Sequence, residues 1–201
     1  MSLPGRDLDD VLIVGPAFSG RRRLFHRLLA ARPGRPVLVS TRQPASRVRD
    51  AHRRTVDGDP AEPVVVDCVA NAVGRAGDGG EATGYAQDPG NLTSIGTTFV
   101  DLAEDRDEDG LAVGVTTVSP LLMYASASEV FQFLYVLAQR ATGEDWPVAA
   151  TIDPGAHNET TVEQFVPLFD GVVETRRRDD DTREFRVQRP ERSEWREIEV
   201  V

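Results

Sequence analysis

The stretch VLIVGPAFSGRR, residues 11–22, decides the fold class of this chain. Its first four residues are apolar and are typical of a buried strand. Gly15 and Gly20 enclose a turn-rich loop, and Leu24, Phe25 and Leu28 then recur at helical spacing. A strand, a glycine loop and a helix in this order predict the first unit of a parallel α/β sheet.

The spacing of Gly15 and Gly20 is that of a phosphate-binding loop. Two glycines at this distance let backbone N–H groups turn towards an anion, and the following helix adds the positive end of its dipole. The full signature continues with Lys and then Ser or Thr, but Arg21 and Arg22 stand there. An arginine is longer and planar, so it does not simply replace a compact ammonium inside the loop. A glycine-rich turn that binds nothing is the alternative.

This pattern predicts a candidate nucleotide-binding site. We predict no catalytic residue and no metal ligand within it. Its members are Gly15, Pro16, Ala17, Phe18, Ser19, Gly20, Arg21 and Arg22.

The remaining chain alternates strands with helices, which predicts a doubly wound, mainly parallel sheet with helices on both faces. Further strands are expected at 36–40, 64–69, 111–118, 147–152 and 171–174, and further helices at 45–54, 91–104, 129–141 and 160–168. Capping-box patterns at 126–129 and 160–163 predict the starts of two of these helices.

The domain organisation predicted from this pattern is one domain over residues 10–201, after a polar lead-in at 1–9. Residues 70–91 are rich in Gly, Ala and Asp and are expected to form a long surface loop. Residues 175–201 are expected to close the sheet edge with antiparallel strands.

The composition indicates an acidic protein. The 201 residues carry a net charge of −10, and all 23 basic residues are arginine. A carboxylate-rich surface without lysine is typical of proteins that work at high salt, where the charge is screened. Codon bias in a GC-rich genome is the alternative explanation. The missing lysine excludes a P-loop lysine and Schiff-base chemistry, and the acidic balance argues against nucleic-acid binding.

The compartment follows from what the sequence lacks. No apolar run reaches the length of a membrane span, and residues 1–10 show no signal-peptide pattern, so we expect a cytoplasmic protein. Cys68 is the single cysteine, which excludes an internal disulfide, and we expect it to be a small buried apolar residue.

The sequence resembles the RecA/KaiC-like P-loop ATPases, and in particular the small single-domain KaiC-like proteins of haloarchaea. The resemblance covers about residues 10–190 and lies mainly in the order of the segments. The stretches DPGNLT at 88–93, SPLLMY at 119–124 and LFDGVVE at 168–174 carry it. It implies a RecA-like core in which active members bind ATP at the end of the first strand.

Three departures from the family pattern indicate a pseudo-ATPase. The loop lysine is replaced by Arg21. The acidic residue that would activate water falls near Thr41 and Arg42, and Thr116 stands where the Walker B aspartate is expected. Phosphoryl transfer depends on positioned cations and metal charge, so losing all three groups is expected to abolish hydrolysis.

The function predicted from the sequence is therefore that of a non-catalytic regulatory or scaffold protein acting through protein–protein contacts or self-association. No cofactor is required for this role. The alternative is a nucleotide-dependent switch or slow ATPase in which Arg21 and Arg22 bind the phosphates of ATP.

Other candidate residues have structural interpretations. Asp67 is expected to be a strand-end polar residue, although it could imitate a Walker B carboxylate. Asp153, His157 and Glu159 follow a strand, where a turn and helix cap is favoured over a metal or acid–base site. His26 and His52 lie in arginine-rich helices without an identifiable partner.

Two basic clusters stand out, at 21–23 with Arg27 and at 176–178. The first is a candidate phosphate cradle. The second precedes the acidic run 179–181 and is expected to be a solvated hairpin turn with local pairing. The helix at 129–141 is apolar nearly all round, which favours burial, with a partner surface as the alternative.

Overall fold

The structure is a computed structural model that describes residues 4, 8–74, 77, 80, 82–104 and 110–198. Its strands are β1 (Asp10–Val14), β2 (Arg35–Ser40), β3 (Val64–Asp67), β4 (Thr83–Tyr85), β5 (Leu111–Val115), β6 (Val148–Ile152), β7 (Gly171–Arg177), β8 (Arg183–Arg189) and β9 (Arg196–Glu197). Its helices are α1 (Arg21–Ala30), α2 (Ala45–Thr55), α3 (Leu92–Glu104), α4 (Leu121–Tyr124), α5 (Ala127–Gly143) and α6 (Glu159–Phe165), with short 3₁₀ turns at Pro154–Ala156 and Val166–Leu168.

The strands described form one sheet in the order β4-β3-β2-β5-β6-β1-β7-β8-β9. Strands β1 to β7 run parallel, and β8 and β9 continue the sheet antiparallel from β7. The predicted mainly parallel sheet with an antiparallel C-terminal edge is therefore confirmed. Because β1 lies between β6 and β7, the loop that follows β1 reaches the carboxyl edge near the middle of the sheet.

Helices pack on both faces of the sheet, as predicted. Successive residues of β1 alternate between the faces: Leu12 belongs to one hydrophobic core, and Val11 and Ile13 belong to the other. Helices α3, α5 and α6 bury their apolar residues in the first core, and α1 and α2 bury theirs in the second. The carboxyl edge of the sheet is thus flanked by α1 and α2 on one side.

The interval 70–91 is not one continuous loop, because its residues 83–85 form β4. The Val65 amide donates to the Ala82 carbonyl at 3.0 Å, and β4 then pairs parallel with β3. Gly84 fits there because a Cβ would overlap Thr98 and approach Leu102 of α3. A three-residue strand containing glycine has no periodic pattern, which is why the expectation of a loop was wrong at these positions.

Two helix ends test the capping predictions. The capping box of Ser126 and Glu129 is confirmed at the start of α5, with reciprocal bonds between each side chain and the other residue's backbone. The box expected at 160–163 is wrong. Asn158 caps α6 instead, accepting from the Thr161 amide at 2.7 Å, so the predicted cap residues lie inside the helix.

The helix α5 is only partly as expected. Leu134 is buried with 3% exposure, whereas Tyr135 and Val136 are 49% and 60% exposed. Strand β7 begins at Gly171 as predicted, β9 covers Arg196–Glu197, and residues 199–201 lie outside the described part. Most of the lead-in 1–9 is likewise outside it. Within the described residues, no helix combines the length and the apolar character that crossing a membrane requires.

Candidate functional site

The loop between β1 and α1 is held at its base by close packing. The Gly15 amide donates to the Ile152 carbonyl of β6 at 3.2 Å, and a Cβ on Gly15 would overlap the Thr175 side chain and approach the Thr175 carbonyl to 2.9 Å. Ser19 is buried, and its hydroxyl bonds Thr175 Oγ1 at 2.6 Å. Strand β7 therefore requires glycine at the start of this loop.

The loop ends in the left-handed conformation that lets it turn into α1. Gly20 is the N-cap residue of α1 with φ +89°, a region that favours glycine. Phe18 also has positive φ, at +64°, and its ring is 78% exposed. Gly15 is thus required for steric reasons and Gly20 for its backbone conformation. Residues 15–20 lead directly into the first turn of α1.

Arg21 occupies the interior of this loop. Its guanidinium donates to the Gly15 carbonyl, and Nη2 lies 3.7 Å from Asp153 Oδ2. Both side chains are mostly buried, with 12% and 22% exposure. Burial is the main cause that lowers the pKa of Arg21, Asp153 opposes it, and Arg42 contributes in the same direction as burial. The guanidinium of Arg21 is thus bound to the chain at two points, the Gly15 carbonyl and the Asp153 carboxylate.

The ends of β2 and β5 carry hydroxyls where the resemblance implied carboxylates. The Thr116 hydroxyl donates to the Val39 carbonyl at 3.2 Å, and the Thr41 hydroxyl donates to the Thr117 carbonyl at 2.6 Å. The Thr41 amide also reaches Thr116 Oγ1 at 3.4 Å. These hydroxyl protons join two neighbouring strands, so the positions compared with the catalytic acid and the Walker B residue are adjacent.

A cavity of about 680 Å³ opens at this carboxyl edge. The glycine loop and the first turn of α1 line one part of it, and residues of α2 and the ends of β2, β5 and β6 line the rest. Six arginines border it: Arg21, Arg22, Arg23, Arg42, Arg54 and Arg183. Among the described residues that line the cavity there is no Asp or Glu. The cavity is therefore cationic in a chain whose net charge is −10.

Magnesium does not fit this donor set. Mg²⁺ is bound through carboxylates together with phosphate oxygens and water. The described residues contain no group of three or more His, Cys, Asp or Glu placed to hold a metal ion. The nearest carboxylate to the loop, Asp153, is engaged with Arg21 and with the Gly155 amide at 3.0 Å. The described lining of the cavity therefore offers no site for Mg²⁺.

Arg42, Arg54 and Arg183 are cavity residues that sequence reasoning did not assign to the site. They come from the loop after β2, the last turn of α2 and the start of β8. Arg42 had a signal, because it follows a parallel strand at the edge where such sheets bind ligands. Arg54 and Arg183 had none, since their approach depends on helix packing and on the long antiparallel return of the chain.

His26 and His52 form a buried pair across α1 and α2, which the sequence did not reveal. Their Nδ1 atoms lie 3.3 Å apart, and the edge of His26 also meets Phe25. Burial, and then His52, lower the pKa of His26 to about 3. Burial also lowers the pKa of His52. Both rings are therefore neutral near neutral pH, and His26 lines the cavity as an uncharged group.

The structural interpretation of Asp67 is correct. Its Oδ2 accepts from the Ala45 amide at the start of α2 at 2.7 Å, and its Oδ1 accepts from Val69 and Ala70 at 2.8 Å each. The side chain is fully used in fastening α2 to β3. Asp67 lies outside the cavity lining.

Asp153 also serves as a cap. It is the N-cap residue of the 3₁₀ turn Pro154–Ala156, as the favoured interpretation stated. Glu159 is exposed in the first turn of α6. Cys68 is completely buried, and burial raises the pKa of its thiol.

The second basic cluster forms the predicted hairpin turn. Arg177 pairs with Asp181 across the turn, while Arg176 and Arg178 lie 2.7 and 3.5 Å from Glu184 of β8. The pairing is thus shared between the acidic run and the neighbouring strand.

Three solved structures have a fold similar to that of this chain. An uncharacterized protein from Pyrococcus horikoshii, crystallised in complex with an unknown peptide, has a TM-score of 0.60 at 13% identity, covering 90% of this chain and 84% of that one. A KaiC-like protein from Pyrococcus horikoshii OT3 gives 0.58 at 12% identity, covering 94% and 84%. The flagellar accessory protein FlaH from Methanocaldococcus jannaschii gives 0.57 at 15% identity, covering 90% and 77%. The chain has the RecA-like fold of KaiC-like proteins.

The particular family follows from the sequence itself. Residues 9–175 match the family of unknown function DUF7504, and the chain belongs to that family. No curated protein matches the chain.

Proposed function

We propose that this chain is a degenerate KaiC-like protein that does not hydrolyse ATP and that acts as a regulatory or scaffold protein through protein contacts. The observation that carries the first part is the position of Arg21. Its guanidinium is bonded to the Gly15 carbonyl and faces Asp153, so the interior of the loop is occupied by the chain's own cation. Phosphoryl transfer depends on a cation positioned at the transferred phosphates, and the cation of this loop is engaged with the chain instead.

Two further features support the loss of hydrolysis. Thr41 and Thr116 present hydroxyls that donate to backbone carbonyls, so neither site offers a carboxylate for water activation or for a metal ion. The cavity walls are cationic, which does not suit a divalent metal. Each missing group has a different role in phosphoryl transfer, so each loss lowers the rate of ATP hydrolysis further.

Hydrolysis is tested by steady-state phosphate release from ATP with excess Mg²⁺, with a KaiC-like protein that has the loop lysine as the positive control. We expect release no faster than in a protein-free blank. Arg21→Lys restores the loop lysine alone, and we expect it to remain inactive because the carboxylates are still missing. Turnover by the unaltered chain would refute the proposal and favour a slow ATPase.

The alternative of a nucleotide-dependent switch is tested by melting temperature. A ligand at one hundred times its dissociation constant stabilises the folded state by about 2.7 kcal/mol. A shift that requires ATP together with Mg²⁺ would support the switch and contradict our proposal. The same titration with ADP shows whether such a shift distinguishes the two nucleotides.

The proposed protein contacts rest on exposed apolar side chains of α4 and α5. Met123 and Tyr124 of α4 are 76% and 65% exposed, and Tyr135 and Val136 of α5 are 49% and 60% exposed. We call these four residues the α4–α5 surface. Large apolar side chains left at a surface are typical of interaction sites. The similar Pyrococcus horikoshii protein that was crystallised with an unknown peptide supports this role by analogy of fold.

Two measurements on the intact chain test the contact surface. Light scattering gives the mass of the purified chain, and co-purification from the native cell gives its partners. We expect Tyr124→Ser with Val136→Ser to change one of these two results. The exposed helix substitution Gln139→Ser is the matched control. An unchanged mass together with an unchanged set of partners would contradict the assignment of this surface.

We also propose a cytoplasmic setting at high salt. The net charge of −10 with no lysine supports it, because carboxylate repulsion destabilises a compact chain when it is not screened. We expect the melting temperature to fall on dialysis from molar potassium chloride into dilute buffer. An unchanged melting temperature would leave codon bias as the explanation of the composition.

A further inference from the structure

We propose that the exposed face of α5 binds the same face of a second copy of this chain, so that two α5 helices pack antiparallel across a two-fold axis. This pairing rests on the contact role proposed above, and it names the partner for the α5 part of the α4–α5 surface. It involves no residue of the glycine loop.

The exposed face of α5 carries almost no charge. Its exposed residues are Ser128, Glu129, Gln132, Tyr135, Val136, Gln139, Arg140, Thr142 and Gly143. One of them is acidic and one is basic, in a chain whose net charge is −10. By contrast, three of the four exposed residues of α2 are arginines. Interface centres are depleted in charged residues, so the neutral face of α5 indicates an interface.

The middle of α5 presents large apolar side chains to the outside. Tyr135 and Val136 are 49% and 60% exposed and lie at the centre of the helix. Phe131 lies one turn before Tyr135 on the same stripe and is only partly buried. Aromatic and apolar side chains at the centre of a face, with polar residues around them, are typical of protein interfaces. The centre of the α5 face is therefore its apolar contact area.

The two charged residues lie at opposite ends of this face. Glu129 and Arg140 are eleven residues apart, which is about three turns of an α-helix, so they lie on the same stripe. Their midpoint falls between Leu134 and Tyr135, at the middle of the helix. When two copies of α5 pack antiparallel about that midpoint, Glu129 of each copy meets Arg140 of the other. The face is thus complementary to itself turned end for end, as a two-fold interface requires.

Both charged groups can form this contact at little cost within the chain. Glu129 accepts from the amide and the hydroxyl of Ser126 through Oε2, at 2.8 and 2.6 Å, and these two bonds leave Oε1 for another donor. The Ser126 hydroxyl and then its amide lower the pKa of Glu129, so the carboxylate stays charged. Arg140 Nη2 lies 3.9 Å from Glu144 Oε1, and an exposed pair at that distance contributes little to stability.

The balance of charge favours a second copy over a different protein. Two chains that each carry a net charge of −10 repel one another, and a face whose own charges sum to zero is where this repulsion is smallest. A basic partner would instead be attracted to the acidic part of the surface. The α5 face also supplies both members of each ion pair, so a second copy satisfies all of its charges.

Sedimentation equilibrium of the intact chain over a range of concentrations tests the pairing. We expect a mass twice that of the 22.0 kDa chain, with dissociation on dilution. Val136→Asp brings two carboxylates to the centre of the interface, and we expect the affinity of the dimer to fall by about a hundredfold or more. Val73→Asp is the matched control, because Val73 is 58% exposed and lies in the turn after β3. Gln139→Ser exchanges one polar side chain for another on the α5 face and should leave the dimer intact.

Two charge reversals test the antiparallel register. Glu129→Arg places arginine against Arg140 in a dimer of that variant, and Arg140→Glu places glutamate against Glu129. We expect each variant alone to dimerise about tenfold more weakly or worse. In an equal mixture, a dimer with one chain of each kind has opposite charges at both ends of the face, so we expect an affinity near that of the unaltered chain. Circular dichroism of each variant shows that it is folded.

Three results would overturn this pairing. They are a monomer at every concentration, an assembly that Val136→Asp leaves intact, and a mixture of the two charge reversals that stays monomeric. Failure of the proposed function is recognised separately. A monomeric chain whose co-purifying partners are lost in Tyr124→Ser with Val136→Ser keeps the contact role and refutes the second copy as partner. Phosphate release from ATP is measured independently of either result.

Discussion

The hairpin of β7 and β8 and the cavity at the glycine loop are both rich in arginine, but they differ in what neutralises the charge. In the hairpin, Arg176 and Arg178 pair with Glu184, and Arg186 pairs with Glu174. At the cavity, six arginines meet with no carboxylate in the described lining. Arg21 at the cavity is paired with Asp153, whereas Arg22 and Arg42 form no ion pair with a carboxylate of the described residues.

In the hairpin, two of the paired arginines also stack on an aromatic ring. Arg176 and Arg186 lie 4.0 and 4.5 Å from the centre of the Trp195 ring, in addition to their ion pairs. Stacking on an aromatic face stabilises a guanidinium that is partly removed from water. Comparison with this hairpin gives a physical criterion for an exposed cavity arginine without an ion pair, such as Arg42: its replacement should leave stability nearly unchanged.

The largest expected effect comes from breaking the base of the loop. Gly15→Ala places a Cβ against Thr175, and we expect a loss of about 1–3 kcal/mol in the free energy of unfolding. Gly143→Ala in α5 is the matched control, because a Cβ there meets no atom within 4 Å. Urea unfolding of the two variants checks the difference. Equal stabilities would show that β7 does not constrain the loop.

A smaller loss is expected when the hairpin pairing is broken. Glu184→Gln removes the carboxylate shared by Arg176 and Arg178, and we expect the free energy of unfolding to fall by about 1–2 kcal/mol. Urea unfolding at neutral pH measures it. No loss would mean that the hairpin pairs are as dispensable as ordinary surface pairs.

The corresponding change at the cavity should act differently. Arg42→Gln removes a cation that has no ion pair with a described carboxylate and that lies near Arg21, so we expect stability within about 0.5 kcal/mol of the unaltered chain, or slightly higher. The same unfolding experiment, without added anions, checks it. A loss as large as that of Glu184→Gln would assign Arg42 a structural role.

The pH dependence of stability involves the buried His26 and the half-buried Asp10, whose contributions change with pH in opposite directions. Burial lowers the pKa of His26 from 6.5 to about 3, so its contribution to stability is present above 6.5 and is lost as the pH falls through that interval. Burial raises the pKa of Asp10 from 3.8 to about 6, so its contribution is present below 3.8 and is lost as the pH rises to about 6.

Asp10→Asn separates these two contributions. The amide oxygen can still accept from the Val148 amide, but the half-buried charge is gone. We expect the variant to be more stable than the unaltered chain above pH 6 and to lose stability more steeply on acidification, because His26 then acts alone. Urea unfolding across the pH range checks this. Parallel pH profiles for the two proteins would contradict the assignment.

The sequence predicted the parts of the fold that depend on local pattern. Residues 11–22 predicted β1, the loop and the start of α1 correctly, because an apolar strand is followed there by a loop that needs glycine at both ends. Strand β4 was missed because its pairing depends on the free edge of β3. The start of α6 was misplaced because both Asn158 and Thr160 satisfy the chemistry of a cap, and the structure uses Asn158.

The candidate site was predicted only in its central segment. The eight residues from Gly15 to Arg22 are contiguous, and most of them line the cavity. Arg42, Arg54 and Arg183 come from three separate elements, and the His26 and His52 pair depends on how α1 packs against α2. No local pattern predicts contacts of this kind, because they arise from packing.

The most direct test of the central claim is a single-turnover experiment with the unaltered chain in excess over ATP labelled at the γ-phosphate, in the presence of Mg²⁺. Our account predicts no release of labelled phosphate beyond that of a protein-free sample, because Arg21 is bound within its own loop and no carboxylate faces it from β2 or β5. Release that disappears in Arg21→Gln would contradict the account.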